Sequence, residues 1–294
     1  MLRTTSDINV VPVRATVQET YAQIINDLTR AANLLPVQTP YPSQPNKAAA
    51  YAALARTFLS MRKYEQARAF ADSCLNLRSE LIDYNTVDGA ATPVFQEYNV
   101  EVIFHSTPIP QSILSSSRAK IPQELLTLYD TNDLRRELFF QANVGEDEGT
   151  YRYRGSYLGR FNPAGDFVFD GLTTSEVYLI RSECRVRRGD LQGAIDDLNT
   201  LMRNRLANHT SLPSLEDRSA DELLKVVLTE RRKELVFRGQ RWTDLRRLNE
   251  EGWGIELIRN LGGKTYSLPA GDNRWVLLLP HEPIIYSGLT QNPR

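Results

Sequence analysis

The densest cluster of charged side chains runs Glu230, Arg231, Arg232, Lys233, Glu234, then Arg238, Arg241, Asp244, Arg246 and Arg247. Glu230, Glu234 and Arg238 are spaced four apart, which sets them on one face of a helix. Two carboxylates on one face can serve as general acid and base, and Glu230, Glu234 and Asp244 would be the candidates for glycan cleavage. The flanking arginines argue otherwise, because they lower carboxylate pKa values and keep both groups ionised. The cluster therefore predicts a structural ion-pair network where two helices meet. The histidines, His105, His209 and His281, are isolated and lack metal-site spacing with Cys or with one another. Asp130, Asn132 and Asp133 begin like a calcium loop, but its Gly and terminal Glu are missing. No phosphate loop, dinucleotide fingerprint or nucleophile elbow occurs. The expectation is a non-catalytic protein with no metal and no cofactor.

A second kind of chemistry is binding. Residues 79–173 hold half of the chain's aromatic residues, amid many glycines and prolines. Sugar rings present apolar C–H faces, and tyrosine offers a flat apolar body with a hydroxyl handle. Tyr84, Tyr98, Tyr151, Tyr153 and Tyr157 are the candidate ligand-binding residues. Phe161 belongs to the same aromatic stretch. The alternative is that these rings only pin an irregular segment to neighbouring helices.

The elements that would position these groups are mostly helical. Val17, Tyr21, Ile24, Ile25, Leu28, Ala31, Ala32 and Leu35 recur at three- and four-residue spacings, so residues 16–35 read as an amphipathic helix. Thr16 and Glu19 form a capping-box pattern at its start and Pro36 stops it. Helices are expected over 47–61 and 64–77. Tyr51, Leu54, Ala55 and Phe58, then Ala67, Ala71 and Cys74, match the tetratricopeptide pattern, in which small residues let two helices approach closely. An ungapped shift that lays Tyr178 on Tyr51 also lays Ser182 on Ala55, Leu191 on Tyr64, Ala194 on Ala67, Leu198 on Ala71 and Leu201 on Cys74. The separation is not a multiple of the roughly 34-residue repeat, so a segment is inserted between two helix pairs. Within it, 100–104 alternates like a strand, a short helix is expected over 121–129 after the Ser-rich loop 112–117, and 145–170 should be ordered but irregular. Further helices are expected over 219–237 and 241–249, with a loop-rich tail from Gly252.

Bulk properties agree. The 294 residues carry 35 basic and 36 acidic side chains, a net charge of −1. That gives no electrostatic reason to expect nucleic acid as a partner. No apolar run approaches the roughly 20 residues of a membrane span, and the first residues lack the charged-then-apolar pattern of a secretion signal. Cys74 and Cys184 fall in helical patterns where a small apolar residue would serve, so buried free thiols are expected.

Taken in order, several segments resemble the SusD/RagB family of nutrient-binding proteins. They are TYAQIINDLTRAANLLP (20–36), the helix pair of 46–77, NVEVIF (99–104), SEVYLIRSECRVRRGD and AIDDLNTLMRNR within 175–205, ERRKELVFRGQRWTDLRR (230–247) and LTQNP (289–293). The last but one is the most specific. The resemblance implies a mainly α fold, a SusD-like α–α superhelix of tetratricopeptide-like pairs with a large loop-rich insertion. It divides the chain into residues 1–85, the end of the N-terminal half, and 86–294, the C-terminal region with the aromatic insertion. The family's export signal, lipid-bearing cysteine and first tetratricopeptide helices have no counterpart, so the chain looks as if it begins partway through a typical member. The segment Leu279 to Pro283 follows the family's Pro-Ile-Pro stretch only loosely. The implied function is capture of a glycan or other nutrient oligomer at the cell surface, for delivery to a SusC-like TonB-dependent transporter in the outer membrane. The resemblance also implies membrane association through a lipid anchor, although no anchor is expected within this sequence. A tetratricopeptide protein-interaction scaffold without a small ligand stays open as the alternative.

Overall fold

The structure is a computed structural model that describes residues 2, 4–7, 9–11, 13–108, 112–115, 118–159 and 167–294. Phe161 and residues 116–117 of the Ser-rich loop lie outside the described residues. The chain is mainly helical. Its helices are α1 (Val17–Leu34), α2 (Lys47–Ser60), α3 (Tyr64–Leu75), α4 (Gln123–Leu126), α5 (Arg135–Phe139), α6 (Thr174–Arg187), α7 (Leu191–Arg203), α8 (Ala220–Glu234), α9 (Arg241–Asn249) and α10 (His281–Ser287). The strands are β1 (Val102–Phe104), β2 (Phe140–Ala142), β3 (Tyr151–Tyr153), β4 (Leu172–Thr173), β5 (Leu257–Leu261) and β6 (Lys264–Leu268), paired antiparallel as β1–β4, β2–β3 and β5–β6. Two compact units emerge, one of Leu28–Arg241 and one of Met1–Asp27 with Trp242–Arg294. Among the described residues no helix is long and apolar enough to cross a membrane.

In the larger unit, α2 packs on α3 and α6 on α7, as the small-residue pattern requires. Ala67, Ala71, Cys74, Ala194, Leu198 and Leu201 are all buried. Cys74 and Cys184 are buried free thiols, and burial pushes the Cys74 thiol up to about 12. Ser182, at the position of Ala55, donates its hydroxyl to the Ala194 carbonyl at 2.9 Å and so fastens α6 to α7. The two pairs are far apart in sequence but adjacent in space, because α3 packs directly on α6. Arg181 of α6 bridges Asp72 of α3 at 3.3 Å and Asp197 of α7 at 2.6 Å. The stack is thus continuous across the insertion, and α8 closes it over Leu179, Leu198, Leu223 and Val227.

The insertion has its own core. Tyr84, Phe95, Phe139, Phe140, Tyr157 and Phe169 meet edge-on or tilted, the geometry that the ring quadrupole favours. The expected strand forms as β1, and the expected short helix shrinks to α4.

In the smaller unit the tail is more structured than its loop-rich sequence implies. Gly262 and Gly263, both at positive φ (55° and 74°), form a two-residue turn that joins β5 to β6. Gly-Gly is a preferred filler for such a turn, because both central residues need φ above zero. Pro280 precedes α10, and Gly288, left-handed, caps its end by donating its amide to the Ile284 carbonyl. The Thr16–Glu19 capping box of α1 forms as expected, with both reciprocal backbone bonds present.

Candidate functional site

The charged cluster at 230–238 lies under the aromatic insertion and is almost wholly buried. Arg135 donates to Asp133 at 2.9 Å and 2.8 Å, to Glu234 at 3.2 Å and also to Glu230. Arg205 reaches Glu234 at 2.8 Å and Glu101 at 2.6 Å, and Lys233 reaches Asp133 at 2.7 Å and Glu230 at 2.9 Å. Burial works to raise the Asp133 carboxyl, but Arg135 and Lys233 outweigh it and hold that group below its usual value. Glu234 is likewise lowered, because Arg205 and Arg135 overcome its burial. The expected ion-pair network therefore exists, and ties α8 and α5 to Arg205 just after α7 and Glu101 just before β1. Glu230 and Glu234 have their oxygens engaged by cations, and Asp244 pairs with Arg247 at 2.9 Å.

The five candidate tyrosines divide sharply. Tyr84 is 2% exposed and Tyr157 is 0% exposed. Their hydroxyls share a 2.8 Å hydrogen bond, and Tyr157 donates to Glu101 at 2.9 Å. Arg205 lies over the Tyr84 ring at 3.9 Å and Arg238 over the Tyr157 ring at 3.9 Å. Burial pushes both phenols well above their ordinary range. These two rings pin the insertion to the helices and offer no surface to a ligand. Tyr98 is 39% exposed, at φ 56°, with its ring edge-on to His105 at 5.0 Å. Tyr151 packs partly buried against the insertion core with Arg136 over its ring at 5.8 Å. Tyr153 alone of the five lines an open groove.

That groove has a volume of about 700 Å³, within the roughly 300–1,000 Å³ of small-molecule sites. Its floor is the β2–β3 hairpin. Successive strand residues face opposite sides, so the run Tyr151, Arg152, Tyr153, Arg154 alternates aromatic and arginine. The register is Phe140 opposite Tyr153 and Ala142 opposite Tyr151. The Arg154 amide extends the pairing by donating to the Phe139 carbonyl at 2.8 Å. Gly155 follows because a Cβ there would sit 2.6 Å from the Phe139 ring. Tyr153 stacks on Phe237 at 4.6 Å with ring planes 3° apart, and burial pushes its phenol up to about 12. Phe237 holds φ 58°, a left-handed conformation that strains a bulky residue. Strain of this kind is found where the fold must present one side chain to a particular place.

The rim is polar. Gln141 and Asn143 line it, together with Ser156, whose buried hydroxyl has no hydrogen-bond partner among the described residues. Asn143 is oriented by donating to Thr150 at 2.8 Å while accepting from Arg152 at 3.0 Å. Arg154 donates to the carbonyls of Gly89 and Ala91. Lys120 pairs with Asp147, the sole carboxylate among the described residues of the lining. Sequence reasoning did not single out Gln141, Asn143, Arg152, Arg154, Ser156 or Phe237. The Tyr-Arg-Tyr-Arg alternation was the visible signal for the arginines. Phe237 had none, because its apolar spacing continues α8 beyond the observed end at Glu234.

A sequence profile of the SusD family matches residues 174–276, and a second, described as starch-binding and associating with the outer membrane, matches residues 1–59. No curated protein matches the sequence. Among solved structures, a SusD superfamily protein from Bacteroides thetaiotaomicron superposes with a TM-score of 0.78 at 23% identity, over 98% of this chain and 69% of its own. A SusD-like protein from Bacteroides fragilis gives 0.71 at 18%, over 98% and 73%. A SusD-like carbohydrate binding protein from Bacteroides vulgatus gives 0.62 at 22%, over 87% and 58%. At these identities the likeness establishes a shared fold.

Proposed function

Since this chain is a SusD/RagB family protein, we propose that it binds an oligosaccharide in the groove beside β3 and does not cleave it. The observation that carries this reading is the make-up of the groove. The lining combines a flat apolar pair, Tyr153 on Phe237, with the polar groups of Asn143, Gln141 and Ser156. A sugar ring needs both, a face to lie on and partners for its hydroxyls. The name of one neighbour, a carbohydrate binding protein, supports the ligand class. Engagement of Glu230, Glu234 and Asp244 in ion pairs supports a binding role without hydrolysis. Association with the outer membrane, with delivery to a TonB-dependent transporter, completes the proposal and rests on the family alone.

Isothermal titration of the protein with a panel of oligosaccharides tests it. Binding of at least one, lost in Tyr153→Ala and retained in Tyr98→Ala, is the expected result. Binding that survives Tyr153→Ala would move the site elsewhere. A panel with no binder, joined to capture of a protein partner other than a transporter, would favour an interaction scaffold. Incubation with the bound glycan should release no new reducing ends.

A further inference from the structure

Many arginines in this fold are neutralised by a carboxylate, while others, such as Arg14, Arg78 and Arg136, bond to neutral oxygens. Arg56 pairs with Glu176, Arg181 and Arg185 with Asp197, Arg187 with Glu183, and Arg135 and Arg205 with the buried carboxylates. The chain has acids enough to do this everywhere, 36 against 35 bases. Arg152 and Arg154, the two arginines among the described residues of the groove lining, belong to the second kind. Arg152 bonds only to the Asn143 amide oxygen, and Arg154 only to the Gly89 and Ala91 carbonyls. Among the described residues no carboxylate pairs with either. Asp147 on the same lining is already taken by Lys120.

Resting on the oligosaccharide reading of this groove, we infer that its ligand is an acidic glycan, whose carboxylate or sulfate groups are held by Arg152 and Arg154. Arg152 in β3 and Arg154 just beyond it both line the cavity, and so do Tyr153 and Phe237. Each guanidinium has five N–H donors in a planar fork, and each spends only a few of them on the protein. The bonds already made are to neutral acceptors, so they fix the side chain without cancelling its charge. An oxyanion with two or three oxygens in reach of such a fork receives paired, charge-assisted bonds. The stack of Tyr153 on Phe237 then provides the apolar face for the sugar ring carrying that anion.

The test is titration with three oligosaccharides of matched length: an oligogalacturonate, a chondroitin sulfate fragment and a neutral maltooligosaccharide. The expected result is that one of the two acidic ligands binds at least roughly tenfold more tightly than the neutral one, the scale of one charged hydrogen bond. Oligogalacturonate carries carboxylates alone and the chondroitin fragment carries both carboxylates and sulfates, so binding of the former assigns carboxylate and binding of the latter alone points to sulfate. Raising the salt concentration should weaken that binding and leave any neutral binding unchanged. Arg152→Gln should weaken acidic binding roughly tenfold, with Arg152→Lys restoring part of it. Arg154→Gln should do the same, and circular dichroism checks that its loop contacts are not needed for folding. The salt series on the unaltered protein needs no variant to fold. Equal or tighter binding of the neutral ligand would overturn the acidic assignment and leave the groove as a sugar site. Acidic binding untouched by both substitutions would also overturn it. Failure of all three ligands to bind would remove the oligosaccharide reading and this inference together.

Discussion

At the scale of single residues, burial decides what each aromatic ring can do. Tyr84 and Tyr157 hydrogen-bond to each other and stack under arginines, so their role is to hold the insertion. Tyr157→Phe should lower stability by about 1–2 kcal/mol, since it leaves the buried Tyr84 hydroxyl unpaired, and Tyr84→Phe by about 0.5–1 kcal/mol, since Tyr157 keeps its bond to Glu101. Glycan affinity should not change, and urea unfolding beside calorimetric titration reads the two effects separately. Phe237→Gly should do the reverse. Glycine takes the left-handed backbone without strain, which offsets part of the lost ring packing, so stability should change by less than about 2 kcal/mol. Binding should fall because Tyr153 loses the ring beneath it. The five tyrosines were legible in the sequence as a group but could not be sorted there. An irregular segment has no 3.6- or two-residue period, so nothing in the order of residues shows which rings point inward. The short Tyr-Arg-Tyr-Arg run is different, because it sets aromatic rings and cations side by side within four residues.

At the scale of elements, the ion-pair network joins α8 to α5 and to the segments just before β1 and just after α7. Arg135 contacts Asp133, Glu230 and Glu234 while fully buried, so Arg135→Met takes a cation from all three and leaves them to Lys233 and Arg205. The expected cost is about 3–5 kcal/mol, the range for breaking one side of a buried pair. The same network sets an acid limit. Asp133 and Glu234 lie below their ordinary values in the folded state, where nearby cations outweigh their burial. Groups lowered in this way contribute stability that is present above the unfolded carboxyl range, near about pH 4. That contribution is lost as pH falls through the folded values. Denaturation midpoints measured from pH 7 to pH 3 should be flat at first and then drop, and the drop should be shallower in Arg135→Met. The existence of such a network was legible from four-residue spacing beside arginines. Its partners from the insertion, Glu101, Asp133 and Arg135, were not, because ion pairs across 95 to 104 residues leave no local pattern. The β5–β6 hairpin was legible in principle from Gly262-Gly263, although exposed polar strands hide the usual alternation.

At the scale of the molecule, the helix pairs are interrupted in sequence and uninterrupted in space. The ungapped self-match of 51–74 with 178–201 is explained by this, since Ala67 and Ala194 occupy equivalent close contacts in consecutive repeats. Helix packing of this kind is visible in the order of residues because small side chains must recur at fixed steps. The groove is not, because its walls come from residues near 91–94, 119–120, 141–156 and 237. Only the folded insertion gathers them. One consequence follows for the unit of Leu28–Arg241. Its insertion core and its helical stack share the buried charges of Arg205, Glu101 and Glu234, so the two should open together and not separately. A ligand held in the groove binds only the closed form, and at a hundred times its dissociation constant it should stabilise that form by about 2.7 kcal/mol. Hydrogen exchange should then slow in the buried turns of α6 and α8 as well as in the β2–β3 hairpin. Slowing confined to the hairpin would mean that the insertion opens independently, and that the shared charges do not couple it to the helices.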